Sequence, residues 1–595
     1  MEARLGRHQL LLVLALALAL RLPFLNQAVQ GDDDIYLTIA THALVDPLHP
    51  THAPYVFRGV EVDLRGQPHP PLDSWVLAGL IATFGGVYEV PFHAFYIVFS
   101  LIAAAAMWSL ARRFSPQPMW AALLFLAVPA FVVNGNSFET DLPFLAFWMA
   151  SVALFVGRRL LWSIVPMVLA SMTSYQTIFL IPILAVYCWL FARRDRLRWA
   201  VIFTPAIVVA GWQLFERLST GALPAEVLGG YLAEYQGLST KLANAAMLLI
   251  HSWWIVFPAL TPAVIVVAWR GLRGARRAPD TLFLSAWIAI FFACAAIVFP
   301  AGSARYLLPM AAPVVLLASH LSRRWLATGF ALQLALALGL ATANYQHWGA
   351  IRDFASRVHA MAGESRAWVN GEHGLRFYCE REGALPLTRT QTVRNGDIVI
   401  SSELSRSFEV MAPTAPLLEA VVRPAVPLRL IGLESHSGYS TVAKGFWPFG
   451  ISTGVVDRLT AVQVVERQPT LSYLPMSAPE ANQQIVSGIY DLEDHRFRWM
   501  AKSAVVMLKS PPAAQPLHVE FSIPGNAPAR RITLRLDGRD VASQTFPGPG
   551  AYSLATPPIA PARTSATLQI DLDQSFSVPG DRRDLGIVLT AVGFQ

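Results

Sequence analysis

Up to about residue 347 the sequence is a succession of apolar blocks of near membrane-crossing length, and nothing else constrains the fold as strongly. The blocks fall near 10–25, 90–111, 117–134, 142–157, 160–175, 176–192, 198–216, 249–269, 281–300, 306–321 and 325–345. Hydrocarbon offers no hydrogen-bond partner to an open backbone, so such blocks are read as helices. The remainder of the 595 residues has a soluble composition, and the chain-wide 14% charged residues average over that division.

Basic residues gather between the blocks, at Arg4/Arg7, Arg112/Arg113, Arg158/Arg159, Arg193 to Arg198, Arg270 to Arg277 and Arg323/Arg324. With about eleven spans every cluster falls on one side, which the positive-inside rule makes cytoplasmic. That parity requires the segment Pro70 to Gly86, short and opened by two prolines, to lie at the interface or re-enter. The expectation is a multi-pass protein of the plasma (inner) membrane, its first helix uncleaved and its N-terminus cytoplasmic. The C-terminal part is then extracytoplasmic. The net charge of +7 is thereby spent on orientation, and no basic arm suggests nucleic acid. Cys188 and Cys294 lie inside apolar blocks and Cys379 stands alone, which argues against a disulfide or a cysteine metal cluster.

Beyond residue 351 the periodicity changes. "RAWVNGEHGLRFYCEREGALPLTR" reads strand, turn, short helix and strand, and "GDIVISSEL" reads as a further strand, giving a small α/β unit over 351–425. Residues 426–480 form a connecting region whose "GFWPFGIST" is apolar enough to touch the membrane. Over 481–595, "SAVVMLKS", "LHVEFSI", "ARRITLRLDG", "TSATLQIDL" and "LGIVLTAVGF" alternate apolar and polar residues between Pro- and Gly-rich turns. This predicts an antiparallel β-sandwich or jelly roll, a shape compatible with carbohydrate binding. Trp499 could stack on a sugar, although packing in the core explains it more simply.

The polar chemistry of the helical half gathers on the external side. Asp32, Asp33 and Asp34 follow the first block, with Tyr36 close behind, and "HPPLDSW" begins at His69 in the same loop. Asp141 opens a later block in "TDLPFLAFW", and Arg305 begins "RYLLPMAAP". An Arg in apolar surroundings is costly and calls for an ionic partner, and Arg21 raises the same question.

In this order the features resemble the GT-C superfamily of integral-membrane glycosyltransferases, near protein O-mannosyltransferases and lipid A aminoarabinose transferases. The resemblance covers about 1–347, as a GT-C-like catalytic domain. It implies transfer of a sugar from a polyprenyl-phosphate donor to a hydroxyl of a glycan, lipid or protein, with inversion, beside membrane lipids. Asp32, Asp33 and Asp141 would activate or position the acceptor, and Arg305 with His69, Tyr36 and Asp34 would hold the donor phosphate. Here the family's Asp-Glu pair is Asp-Asp, and its Lys before two prolines is His69. Asp32 and Asp33 could also hold a divalent metal through oxygen ligands. The alternatives are a lipid-linked-sugar flippase, for which no internal repeat is visible, and a non-catalytic scaffold displaying a glycan-binding sandwich.

Overall fold

The computed structural model describes residues 2–157, 159–273, 278–405, 407–440, 444–525, 527–578, 581 and 583–595. Arg158, Arg276 and Arg277 of the basic clusters lie outside the described residues. The chain divides into two compact units, one of Met1–Tyr55, Asp63–Arg352 and Val421–Asp457, the other of Val56–Val62, Asp353–Ala420 and Arg458–Gln595.

The first unit is helical. Among the described residues, five helices are long and apolar enough to cross a membrane: Gly6–Phe24, Glu89–Phe114, Arg196–Thr220, Pro279–Val298 and Arg323–Ala362. Shorter apolar helices occupy Leu72–Phe84, Asp141–Val156, Leu161–Ser171, Tyr175–Phe191 and Arg305–Ala318. Two expected blocks, 117–134 and 249–269, are broken helices. The break in block 117–134 has a local cause: Pro129 opens the helix Pro129–Asn134, and Val128 before it is extended, at ψ 123°. Leu72–Phe84 stops at Gly85, whose φ of 76° ends a helix without the strain a Cβ would bring. At about 1.5 Å per residue, its 13 residues fall short of a ~30 Å hydrocarbon layer.

Arg21 lies inside this unit, only 2% exposed. Its guanidinium donates to Ser100 Oγ at 2.9 Å, Phe131 O at 2.7 Å and Val132 O at 2.8 Å. The two carbonyls belong to the short helix Pro129–Asn134, so the cation meets the negative end of that helix. The charge raised by the sequence is answered by backbone and not by an acid.

In the second unit, strands Ala367–Asn370, Leu385–Pro386 and Ile398–Ser402 are parallel, with helix His373–Arg381 crossing between the first two. Asp457–Val464 pairs antiparallel with Ile398–Ser402, and Thr414–Val422 completes the five-stranded sheet. The nine-stranded antiparallel sheet that follows fits the expected β-sandwich. It folds around one core that includes Met500, Val506, Val519, Phe521, Leu534 and Leu568. Strand Phe497–Lys509 pairs with Val588–Phe594 at its start and with Ser565–Leu572 further on, keeping the sheet continuous through the corner. Leu517–Ile523 alternates buried and half-buried residues strictly, as one wet face requires. Trp499 packs edge-on to Phe576, ring centres 6.2 Å apart, beside a small cluster of Tyr490, Ala501 and Leu585.

Candidate active site

Four stretches far apart in sequence meet within the first unit: residues 30–36, the loop 134–141, the turn at 303–305, and Tyr439. The first two are held together by Asp33. This carboxylate is fully buried; its Oδ1 accepts from Ser137 Oγ at 2.6 Å and the Phe138 amide at 2.8 Å, its Oδ2 from the Gln30 amide at 3.0 Å. Burial pushes its pKa up to about 7, against the opposing effect of those hydrogen bonds. Gln30 adds a second tie through Nε2 to Asn136 O at 2.6 Å, while its Oε1 accepts from Asn344.

Asp32 immediately precedes the helix Asp33–Ala43 as its N-cap. Its side chain turns elsewhere, with Oδ2 at 3.4 Å from Arg305 Nη2. Arg305 Nη1 pairs with Glu139 Oε2 and lies 3.5 Å from Asp141 Oδ2. One guanidinium therefore faces three carboxylates. Their exposures differ usefully: the Asp32 side chain is 39% exposed, Glu139 8% and Asp141 14%. Asp32 is the most exposed of the three.

Asp141 Oδ2 accepts from Asn134 Nδ2 at 3.1 Å, and Asn134 Oδ1 in turn accepts from the Tyr439 hydroxyl. The carbonyl of Tyr439 accepts from Ser303 Oγ at 2.9 Å and from the Ala304 amide at 3.4 Å. Tyr439 thus spans the loop bearing Asp141 and the turn bearing Arg305.

The remaining expected residues surround this group. His69 Nδ1 lies 3.0 Å from Thr140 Oγ1 and 3.3 Å from Thr173 O, and Tyr36 meets the His69 ring edge-on at 5.8 Å. Burial drives the His69 pKa down to about 4, so the ring is neutral near pH 7. Tyr36 is buried beside Thr140 and Arg305, and burial raises its phenol pKa. Asp34 is turned to Tyr55, whose hydroxyl donates to Oδ2 at 2.6 Å. Asp32, Asp141, Arg305, His69 and Tyr36 are gathered in one neighbourhood, whereas Asp33 and Asp34 point to other partners. Glu139, Asn134, Thr140 and Tyr439 were not singled out from the sequence. For Glu139 a signal existed, as the lone Glu of "NGNSFETD" between two apolar blocks.

A metal held jointly by Asp32 and Asp33 fits this arrangement poorly. Both Asp33 oxygens already accept hydrogen bonds, and Asp32 faces a cation. Among the described residues no group of three or more His, Cys, Asp or Glu is arranged to hold a metal.

A small apolar pocket next to the turn that carries Arg305 is lined by Ala304, His251, Trp254, Leu307, Tyr439 and Phe449 among others.

Residues 68–212 match the family model described as dolichyl-phosphate-mannose-protein mannosyltransferase. That segment holds His69 and Asp141. Similar solved structures include ArnT from Cupriavidus metallidurans bound to undecaprenyl phosphate, 15% identical, with 66% of this chain and 92% of that chain covered and a TM-score of 0.46. Its apo form is 14% identical over the same shares, with a TM-score of 0.44. The arabinofuranosyltransferase AftD from mycobacteria is 11% identical, with 99% of this chain and 61% of that chain covered and a TM-score of 0.39. No curated protein sequence matches the chain.

Proposed function

We infer that this chain is a glycosyltransferase that moves a sugar from a polyprenyl-phosphate donor to a hydroxyl acceptor on the extracytoplasmic side of the membrane. The observation that carries this reading is the convergence of Asp32 and Arg305, 273 residues apart, on one partly open site. The match of residues 68–212 to a family acting from a lipid-phosphate sugar supports it.

The chemistry follows from the residue types. Asp32, the exposed acid, takes the proton of the acceptor hydroxyl as the oxygen attacks the anomeric carbon. The new carbon–oxygen bond forms as the bond to phosphate breaks, and the phosphate departs with the electron pair. A single displacement inverts the anomeric centre. Arg305 stabilises the leaving phosphate, because a planar guanidinium can engage two oxygens and stays charged. Asp141, held by Asn134 and Tyr439, orients Arg305. Asp33 fixes the loop that carries Glu139 and Asp141. Neutral His69 acts through Thr140 and gives no charge to the phosphate.

The test is transfer of radiolabelled sugar from polyprenyl-phosphate sugars by the full-length protein in vesicles. Loss of transfer in Asp32→Asn with folding retained is the expected result. Unchanged transfer in that variant would remove the proposal.

A further inference from the structure

The Glu139 carboxylate occupies an unusual seat. Oε2 pairs with Arg305 Nη1, while Oε1 accepts from the Asp32 amide at 3.1 Å. That amide is at the cap of the helix Asp33–Ala43, so it is a donor the helix itself leaves unused. A half-buried guanidinium and an N-terminal amide together form the donor set that a phosphate seeks. Here a carboxylate of the chain has it.

The surroundings fit that carboxylate. A Cβ on Gly31 would lie 2.5 Å from Glu139 Oε1, so the absence of a side chain there leaves room for the oxygen. Gly31 also has a φ of 48°, which glycine adopts readily. Glu139 is the least exposed of the three acids facing Arg305. It has neighbours of its own sign at Asp32 and Asp141, both within 3.5 Å of the same guanidinium. An incoming phosphate would add further negative charge to this group.

We propose that Glu139 is an internal competitor of the donor phosphate, holding Arg305 and the Asp32 amide until the phosphate displaces it. This rests on the reading that Arg305 takes the donor phosphate. Phosphate and Glu139 need the same donors, so both cannot hold them together. Displacement turns Glu139 out of the site and leaves Arg305 between the phosphate, Asp32 and Asp141. The exchange couples donor arrival to a turn of the Glu139 side chain, and it lowers donor affinity in return. Glu139 is thereby a positioning residue that sets donor affinity through Arg305.

The experiment measures binding of undecaprenyl phosphate to the full-length protein in detergent. Glu139→Gln keeps the shape and removes the charge, and it is expected to tighten binding by roughly tenfold and to lower KM for the donor. Glu139→Asp keeps the charge but shortens the reach, and should fall between wild type and Glu139→Gln. A purely structural Glu139 predicts weaker or unchanged binding in both variants, and that result would overturn the proposal even if Arg305→Gln binds poorly. If Arg305→Gln binds as wild type does, the assignment of Arg305 itself fails, a distinct outcome. Should Glu139→Gln not fold, Glu139→Asp alone decides, and affinity at or below wild type counts against the competitor role.

Discussion

Tyr439 donates its hydroxyl hydrogen bond to Asn134, 305 residues earlier in the chain, and through Asn134 it supports Asp141. Tyr439→Phe removes this donor and leaves Asn134 Oδ1 buried without it. An unsatisfied buried acceptor costs about 1–3 kcal/mol. The expected outcome is a fall in kcat together with a rise in donor KM, since Asp141 loses its fixed orientation and Arg305 loses the partner that orients it. Steady-state transfer assays check this, with a melting curve to confirm folding.

Asp32 and Asp33 are adjacent but face different surroundings, and replacing each should fail in a different way. Asp32→Asn removes the acid open to an acceptor, and general-base loss typically costs 10²–10⁴-fold in rate. Its melting temperature should stay near wild type, because the side chain is partly exposed. Asp33→Asn keeps one accepting oxygen in place of two against three donors, and it should lose about 1–3 kcal/mol of stability. Parallel activity and thermal-melting measurements separate the two.

Asp33 and His69, two of the buried titrating groups near the site, act on stability in opposite directions. Asp33 titrates near 7, above its usual 3.8, so its contribution is full at low pH and is lost as pH rises through 7. His69 titrates near 4, below its usual 6.5, so its contribution is present above 6.5 and is lost as pH falls through 4. Between about pH 4 and 6.5 the two slopes oppose each other, each up to about 1.4 kcal/mol per pH unit. Asp33→Asn should therefore gain stability with rising pH in this window more steeply than wild type, and His69→Gln less steeply. Denaturation midpoints measured across pH 4–7 check both signs.

Gly135 lies against the guanidinium of Arg21: a Cβ there would come within 1.9 Å of its carbon. Gly135→Ala must therefore push Arg21 from its carbonyl partners or displace the loop that carries Glu139 and Asp141. A loss of several kcal/mol is expected, on the scale of a buried charge stripped of its hydrogen bonds. Arg21→Met with Gly135→Ala should recover part of it, since the clash and the charge both disappear. Melting of the single and double variants measures the coupling.

Much of this was legible in the sequence for a simple reason. Apolar length gives helices, strict alternation gives strands such as Leu517–Ile523, and charge amid apolar residues singles out Asp32, Asp141 and Arg305. The broken helix at Val128–Pro129 was hidden inside a continuous apolar block, because hydropathy does not register a missing N–H. Which of two neighbouring aspartates faces an open site depends on Ser137 and Phe138, about a hundred residues away, so local pattern could not rank them. Glu139 sat unremarked in a polar loop where a carboxylate usually meets only water. Tyr439 belongs to a stretch whose composition pointed to a linker, and its role exists only through long-range contact. Asp457–Val464 was overlooked for a related reason, as its partner strand lies over fifty residues upstream.

The reliance on Tyr439 bears on how the protein comes into being. A ribosome that has delivered every apolar block has not yet supplied the phenol that supports Asn134. A nascent chain halted near residue 347 would carry Asp32, Asp141 and Arg305 and still lack the hydrogen bond that fixes Asn134 against Asp141.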